Sequence, residues 1–115
     1  MKKIAVPLPG RPVRGSTTGK PIMAALDLLG RRWSLRIIWE LREAALAFRP
    51  LQTACGGIAP SVLNTRLAEL REAGLVDQTA DGYALTAQGR ALNTALWPLI
   101  EWSEDWASQK SDRQR

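Results

Sequence analysis

Apolar residues recur at helical spacing along most of this chain, and one short stretch switches to the alternation of a strand. After Pro21, which suits a first helical turn, Ile22, Ala25, Leu26 and Leu29 follow a 3.6-residue period, and Gly30 supplies a stop. The spacing predicts a second helix over 32–43. Leu35, Ile38, Trp39 and Arg42 follow one of its faces and Trp33, Ile37 and Leu41 a second, so it belongs centrally. Phe48-Arg49-Pro50-Leu51 opens a short third helix that should end before Gly56-Gly57. Pro60 opens a fourth, running to about residue 73, with Leu63, Leu67 and Leu70 facing the core and Gly74 ending it.

The pattern then becomes a strand over 75–79. Asp81-Gly82 signals a two-residue hairpin, with Tyr83-Ala84-Leu85-Thr86 as the return strand. Thr86 is placed to cap a long last helix over 87–108. In it Leu92, Leu96, Leu99, Ser103 and Trp106 form one stripe, and Pro98 is expected to introduce a kink. This order predicts a mainly α fold with a small β-hairpin, a winged helix-turn-helix with extra helices at both ends.

Charge divides the chain. The formal net charge is +5, and Lys2, Lys3, Arg11, Arg14 and Lys20 account for all of it, because residues 1–20 contain no acid. With three prolines and three glycines, residues 1–20 read as a flexible basic arm, 21–109 as the domain and 110–115 as a polar tail. Such an arm either neutralises phosphates without reading sequence or is simply solvated.

One cysteine and no histidine exclude an intrachain disulfide and the usual zinc ligand sets. Neither a metal nor a cofactor is expected. No apolar run approaches a membrane span, and Pro7, Pro9 and Pro12 interrupt the leader that the Met-Lys-Lys start superficially suggests. A reducing cytoplasmic setting follows.

In a helix-turn-helix one helix braces the duplex while the next lies in the major groove. Here the supporting helix is 49–54, the turn 55–59 and the recognition helix 60–73. With its leucines inward, the recognition helix turns Ser61, Asn64, Thr65 and Ala68 outward. Asn pairs bidentately with adenine, and Ser or Thr reaches phosphates or base edges. Arg66 and Arg71 fall at the flanks, suited to phosphate, and Arg49 joins them from the supporting helix. A solvated amphipathic helix has the same period; the ordered neighbours favour DNA.

Several segments together resemble the HxlR-type regulators, relatives of the MarR group. They are Ala25-Leu26-Asp27-Leu28-Leu29-Gly30-Arg31-Arg32-Trp33-Ser34-Leu35, Phe48-Arg49-Pro50-Leu51, Gly57-Ile58-Ala59-Pro60 and Val62-Leu63-Asn64-Thr65-Arg66-Leu67. Leu70-Arg71-Glu72-Ala73-Gly74-Leu75-Val76 and Tyr83-Ala84-Leu85-Thr86-Ala87-Gln88-Gly89 complete the set. The resemblance spans about residues 21–107 and implies a homodimeric DNA-binding transcriptional regulator whose first and last helices are dimerisation helices. It places Ile22, Leu26, Trp97, Ile100, Trp102 and Trp106 at the dimer interface.

Three departures stand out. The sensor cysteine that the family often carries before the first helix is replaced by Gly19-Lys20-Pro21-Ile22. Ala59 stands where the family often has a capping Ser or Thr, a loss of roughly 0.5–2 kcal/mol unless Ser61 compensates. The wing is short, with Asp81 and no Arg or Lys at its tip.

Cys55, beside the turn, reads as a buried structural thiol or a redox switch. Trp33 and Trp39 are expected in the core. Trp102 and Trp106 serve dimer packing or a flat pocket between subunits that stacks a small aromatic effector. No catalytic residues are expected: Glu40/Glu43 and Glu69/Glu72 resemble solvated faces, and no loop cradles phosphate. The alternative is a winged-helix protein-interaction module without specific DNA binding. RNA binding is weakly supported, since only Tyr83 offers a strand aromatic for stacking.

Overall fold

The computed structural model describes residues 6–10 and 19–113. Lys2, Lys3, Arg11 and Arg14 of the arm lie outside the described residues. The order is α1 (Pro21–Leu29), α2 (Ser34–Glu40), α3 (Phe48–Ala54), α4 (Pro60–Glu72), β1 (Val76–Thr79), β2 (Gly82–Leu85) and α5 (Ala87–Arg113). This is the mainly helical architecture with one antiparallel hairpin that the periodicities predict.

One core holds it together. Ile37, Ile38 and Leu41 around α2 meet Leu51, Cys55 and Ile58 of α3 and the turn, Leu63, Leu67 and Leu70 of α4, and Val76 and Leu85 of the hairpin. α2 is therefore central, as its two apolar faces require. It is shorter than the expected 32–43 because Trp33, at its N-cap, has φ 80°. A left-handed residue cannot continue a right-handed helix, so the first turn begins only at Ser34. α1 buries Ala24 and Leu28 instead, leaving Ile22 and Leu26 outward.

The hairpin register is Val76↔Leu85, Asp77↔Ala84, Gln78↔Tyr83 and Thr79↔Gly82. The two loop residues are therefore Ala80 and Asp81, one position before the expected Asp81-Gly82. The reason is long-range. Leu46, in the α2–α3 connection, exchanges both backbone hydrogen bonds with Tyr83, at 2.9 and 2.8 Å, adding a one-residue third strand. That approach brings the Leu46–Ala47 backbone within 2.5–2.6 Å of where a Cβ on residue 82 would sit. Gly82, at φ 119°, is thus spent on the close approach rather than on the turn.

Thr86 caps α5 as expected, accepting from the Gly89 N–H at 3.1 Å, and its hydroxyl donates to Gly74 O at 2.6 Å. α5 continues through Pro98 and past residue 108 to Arg113. Leu92 and Leu96 pack against the core, but Leu99 is exposed, and so are residues 101–109. The expected single buried stripe therefore ends at Leu96.

Residues 6–10 depart from the free arm of the expectation. Val6 and Pro7 are buried, and Gly10 N–H donates to Gly19 O at 3.0 Å.

Candidate nucleic-acid interface

α3, the Cys55–Ala59 turn and α4 form the helix-turn-helix. Gly56 and Gly57, at φ 78° and 83°, reverse the chain, and Gly57 N–H closes on Gln52 O at 2.9 Å. The Gln52 amide spans the turn by donating to Ile58 O at 2.9 Å. α4 buries Leu63, Leu67 and Leu70 completely or nearly so, which fixes the opposite face outward.

On that face Ser61, Asn64 and Thr65 are exposed and Ala68 is half-buried. Thr65 donates its hydroxyl to Ser61 O at 2.9 Å, which holds it along its own helix. No side chain caps α4, so Ser61 does not make good the missing group at position 59. The amides of the first turn stay open at the positive end of the helix dipole. Arg49 and Arg71 are exposed, and Arg71 Nη1 is 3.4 Å from Gln78 Oε1 of β1.

Arg66, expected at the flank, is placed otherwise. Its Nε donates to Arg32 O at 2.8 Å and its Nη1 to Glu69 Oε1 at 2.9 Å, turning the guanidinium toward the protein. Glu69 overturns the reading of Glu69/Glu72 as a solvated face. It is 6% exposed, and its second oxygen accepts from Arg31, which also lies 3.9 Å from Asp27. A carboxylate this buried persists only when paired. The spacing of carboxylates along α4 carries no trace of Arg31, 38 residues away.

The wing offers no cation. Residues 76–85 contain Asp77 and Asp81, both exposed, and neither Lys nor Arg.

A second surface lies on α1 and α5. Ile22, Leu26, Trp97, Leu99, Trp102 and Trp106 are each 51–61% exposed, and Ile100 is half-buried. The Trp102 and Trp106 rings stack. Leu99 was missed as a member because its period matches the buried Leu92–Leu96 stripe. Trp33 and Trp39, expected in the core, are half-buried, and each lies under a guanidinium: Arg32 at 5.3 Å and Arg42 at 3.9 Å from the ring centroids.

Apart from the tryptophans, an apolar groove of about 620 Å³ opens between α1, α5 and the Pro7–Pro9 segment. Its lining includes Leu28, Leu29 and Leu92, with Gln88 as its polar side chain.

Cys55 is 1% exposed, and burial pushes its thiol above the ordinary value; Glu40 adds to the rise and Arg36 opposes it. The basic group acting on the thiol is Arg36, whose Nη2 donates to the neighbouring Ala54 O at 2.8 Å. A buried thiol held in its neutral form is neither accessible nor nucleophilic, which argues against the redox reading. Among the described residues no cluster of metal-ligating side chains occurs, and no helix is long and apolar enough to cross a membrane.

The family model described as HxlR-like helix-turn-helix matches residues 28–111. The chain is similar to YvaP, an HTH-type transcriptional regulator of Bacillus subtilis, with 29% identity over 71% of this chain and 82% of YvaP. It is similar to the solved structure of quinone-bound YodB from B. subtilis: TM-score 0.69, 28% identity, 73% of this chain and 96% of that one. A MarR-family transcriptional regulator from Enterococcus faecalis matches with TM-score 0.70 and 30% identity, over 87% of this chain and 97% of its own.

Proposed function

The chain belongs to the HxlR-like helix-turn-helix family, and from that premise we propose that it works as a cytoplasmic homodimer binding double-stranded DNA sequence-specifically. It is a transcriptional regulator of the helix-turn-helix type, not an enzyme. The observation that carries the proposal is the orientation of α4. Its leucines are locked into the core, so Ser61, Asn64 and Thr65 and the uncapped first turn stand out together at one end. That is the end a recognition helix presents to base edges in the major groove.

Arg49 and Arg71 supply phosphate contacts, and Asn64 the base contact. Arg66 serves α4 from inside. The acidic wing contributes little, because Asp77 and Asp81 repel phosphate. Pairing of two chains through α1 and α5 covers the six exposed apolar side chains, and sets two α4 helices about 34 Å apart on one face of the duplex. An inverted-repeat site follows.

The solved quinone-bound YodB supports a small aromatic effector as a further part of the proposal, and the 620 Å³ groove lies within the usual ligand-pocket range. With Cys55 buried, such a ligand would be held here without a bond to sulfur.

The test is fluorescence anisotropy of the purified protein on DNA from directly upstream of its own gene, against a shuffled duplex, across a salt series. Tight binding that discriminates the two supports a sequence-specific regulator. Binding that is weak, equal and steeply salt-dependent reflects phosphate neutralisation alone. Binding to neither favours an interaction module built on the same fold.

A further inference from the structure

Glu69 lies on the flank of α4 that faces the α1–α2 turn, with one carboxylate oxygen on Arg31 and the other 2.9 Å from Arg66. Arg31 belongs to the turn after α1, and its neighbour Asp27 to α1 itself. Arg66 also donates to the carbonyl of Arg32, so the turn is gripped from two directions. These charged groups line a polar cleft of about 480 Å³ that is also bordered by Leu26, whose side chain is among the exposed apolar ones on α1. One ionic network thus runs from Asp27 of α1, through the α1–α2 turn, to the recognition helix.

Removing a carboxylate from water is costly, and the attraction of its partners does no more than roughly offset that cost. An apolar residue at position 69 would hold α4 to the core about as firmly. What the pair of guanidinium groups adds is direction. Two planar donors cross between the elements in opposite directions, Arg31 to Glu69 and Arg66 to the Arg32 carbonyl, and together define the rotation and axial position of α4 relative to the α1–α2 turn.

We infer that Glu69, with Arg31, is a positioning residue that sets the recognition helix against the α1–α2 turn and thereby governs discrimination between DNA sequences. This rests on the DNA-binding proposal above. Neither side chain touches DNA in this scheme. Both act through the placement of Asn64 and its neighbours.

The experiment uses the full chain and a duplex that the wild-type protein enriches from a random library, beside a shuffled control. Glu69→Gln keeps the shape and removes the charge; Arg31→Met removes the other partner. Each variant is expected to lower the ratio of selected to shuffled affinity about tenfold, by weakening the selected duplex alone. The double variant should lose no more than the larger single loss, because the two act as one unit. Sedimentation should show the same association state for all.

Wild-type discrimination in a folded Glu69→Gln protein would overturn the inference, as would equal losses on both duplexes or simply additive ones. If Glu69→Gln does not fold, Arg31→Met and Arg31→Lys decide. A reduced ratio in Arg31→Met that Arg31→Lys partly restores supports the inference, and wild-type ratios in both overturn it. A wild-type chain that enriches no sequence overturns the DNA-binding proposal itself, and the inference with it.

Discussion

Trp102 and Trp106 stack with ring centroids 5.4 Å apart and planes 14° from parallel, each 56% exposed on α5. Two large indoles prearranged in this way offer a flat apolar surface at little further entropic cost. If α5 pairs with a second copy, they are the natural centre of the contact. Trp102→Ala should weaken the dimer by about 2 kcal/mol, roughly thirtyfold in Kd. Sedimentation equilibrium measures this. A wild-type chain that stays monomeric at every concentration would rule the dimer out.

Asn64 and Arg71 should fail differently. Asn64→Ala is expected to relax the choice of base at one position, with a loss of about 1–3 kcal/mol of discrimination there. Arg71→Ala should weaken binding alike on all sequences and reduce the salt slope by about 1. Anisotropy on duplexes with single base-pair changes separates the two patterns. Exchange of those patterns would reassign the residues.

Two glycines with positive φ should respond unequally to the same methyl group. At Gly82 a Cβ would sit 2.5 Å from the Leu46 carbonyl carbon, whereas at Gly56 it meets nothing within 4 Å. Gly56→Ala therefore adds only backbone strain, about 1 kcal/mol. Gly82→Ala adds a clash with backbone that must move, roughly 3 kcal/mol in total, and should lower the melting temperature by at least ~10 °C. Equal melting temperatures for the two variants would show that the Leu46–Tyr83 pairing is dispensable.

Cys55 ties stability to alkaline pH. Burial, reinforced by Glu40, raises the folded thiol above its ordinary value near 9. The unfolded chain thus loses its proton first as pH rises. The stabilising contribution is complete below about pH 9 and is lost as pH climbs through the raised folded value. Melting temperature should fall over that range in the wild type, and the fall should be smaller in Cys55→Ser. A thiol reagent should label the native protein at neutral pH only as fast as it unfolds. Rapid labelling of the folded chain would restore the redox reading.

Most of the fold was legible in single side chains and their spacing. Leu63, Leu67 and Leu70 announce the inner face of α4, Pro60 its start, and Thr86 the start of α5, because helical period and capping depend on residues within one or two turns. By the same token Ser61, Asn64 and Thr65 could be placed outward, since the face opposite a buried stripe has no other direction to take.

Local pattern could not supply pairings across the chain. The left-handed Trp33 that shortens α2 interrupts no apolar period, and the Leu46–Tyr83 bridge that moves the hairpin loop and the Arg31–Glu69–Arg66 network each depend on where a distant segment comes to rest. Arg66 and Arg71 look interchangeable along the helix; only the position of Arg32 and Glu69 turns one inward and leaves the other on the surface. Leu99 continues the period of Leu96 but lies beyond the last element that could cover it.

The sequence by itself therefore determined which residues form helices and which face of each is apolar, because those follow from short-range periodicity and the hydrophobic effect. Only the tertiary structure decided which charges are occupied, which apolar faces remain uncovered and where the turns close. Ion pairing, close backbone approach and burial are properties of neighbours in space, and the pairs that matter most here lie 34 to 38 positions apart in the sequence.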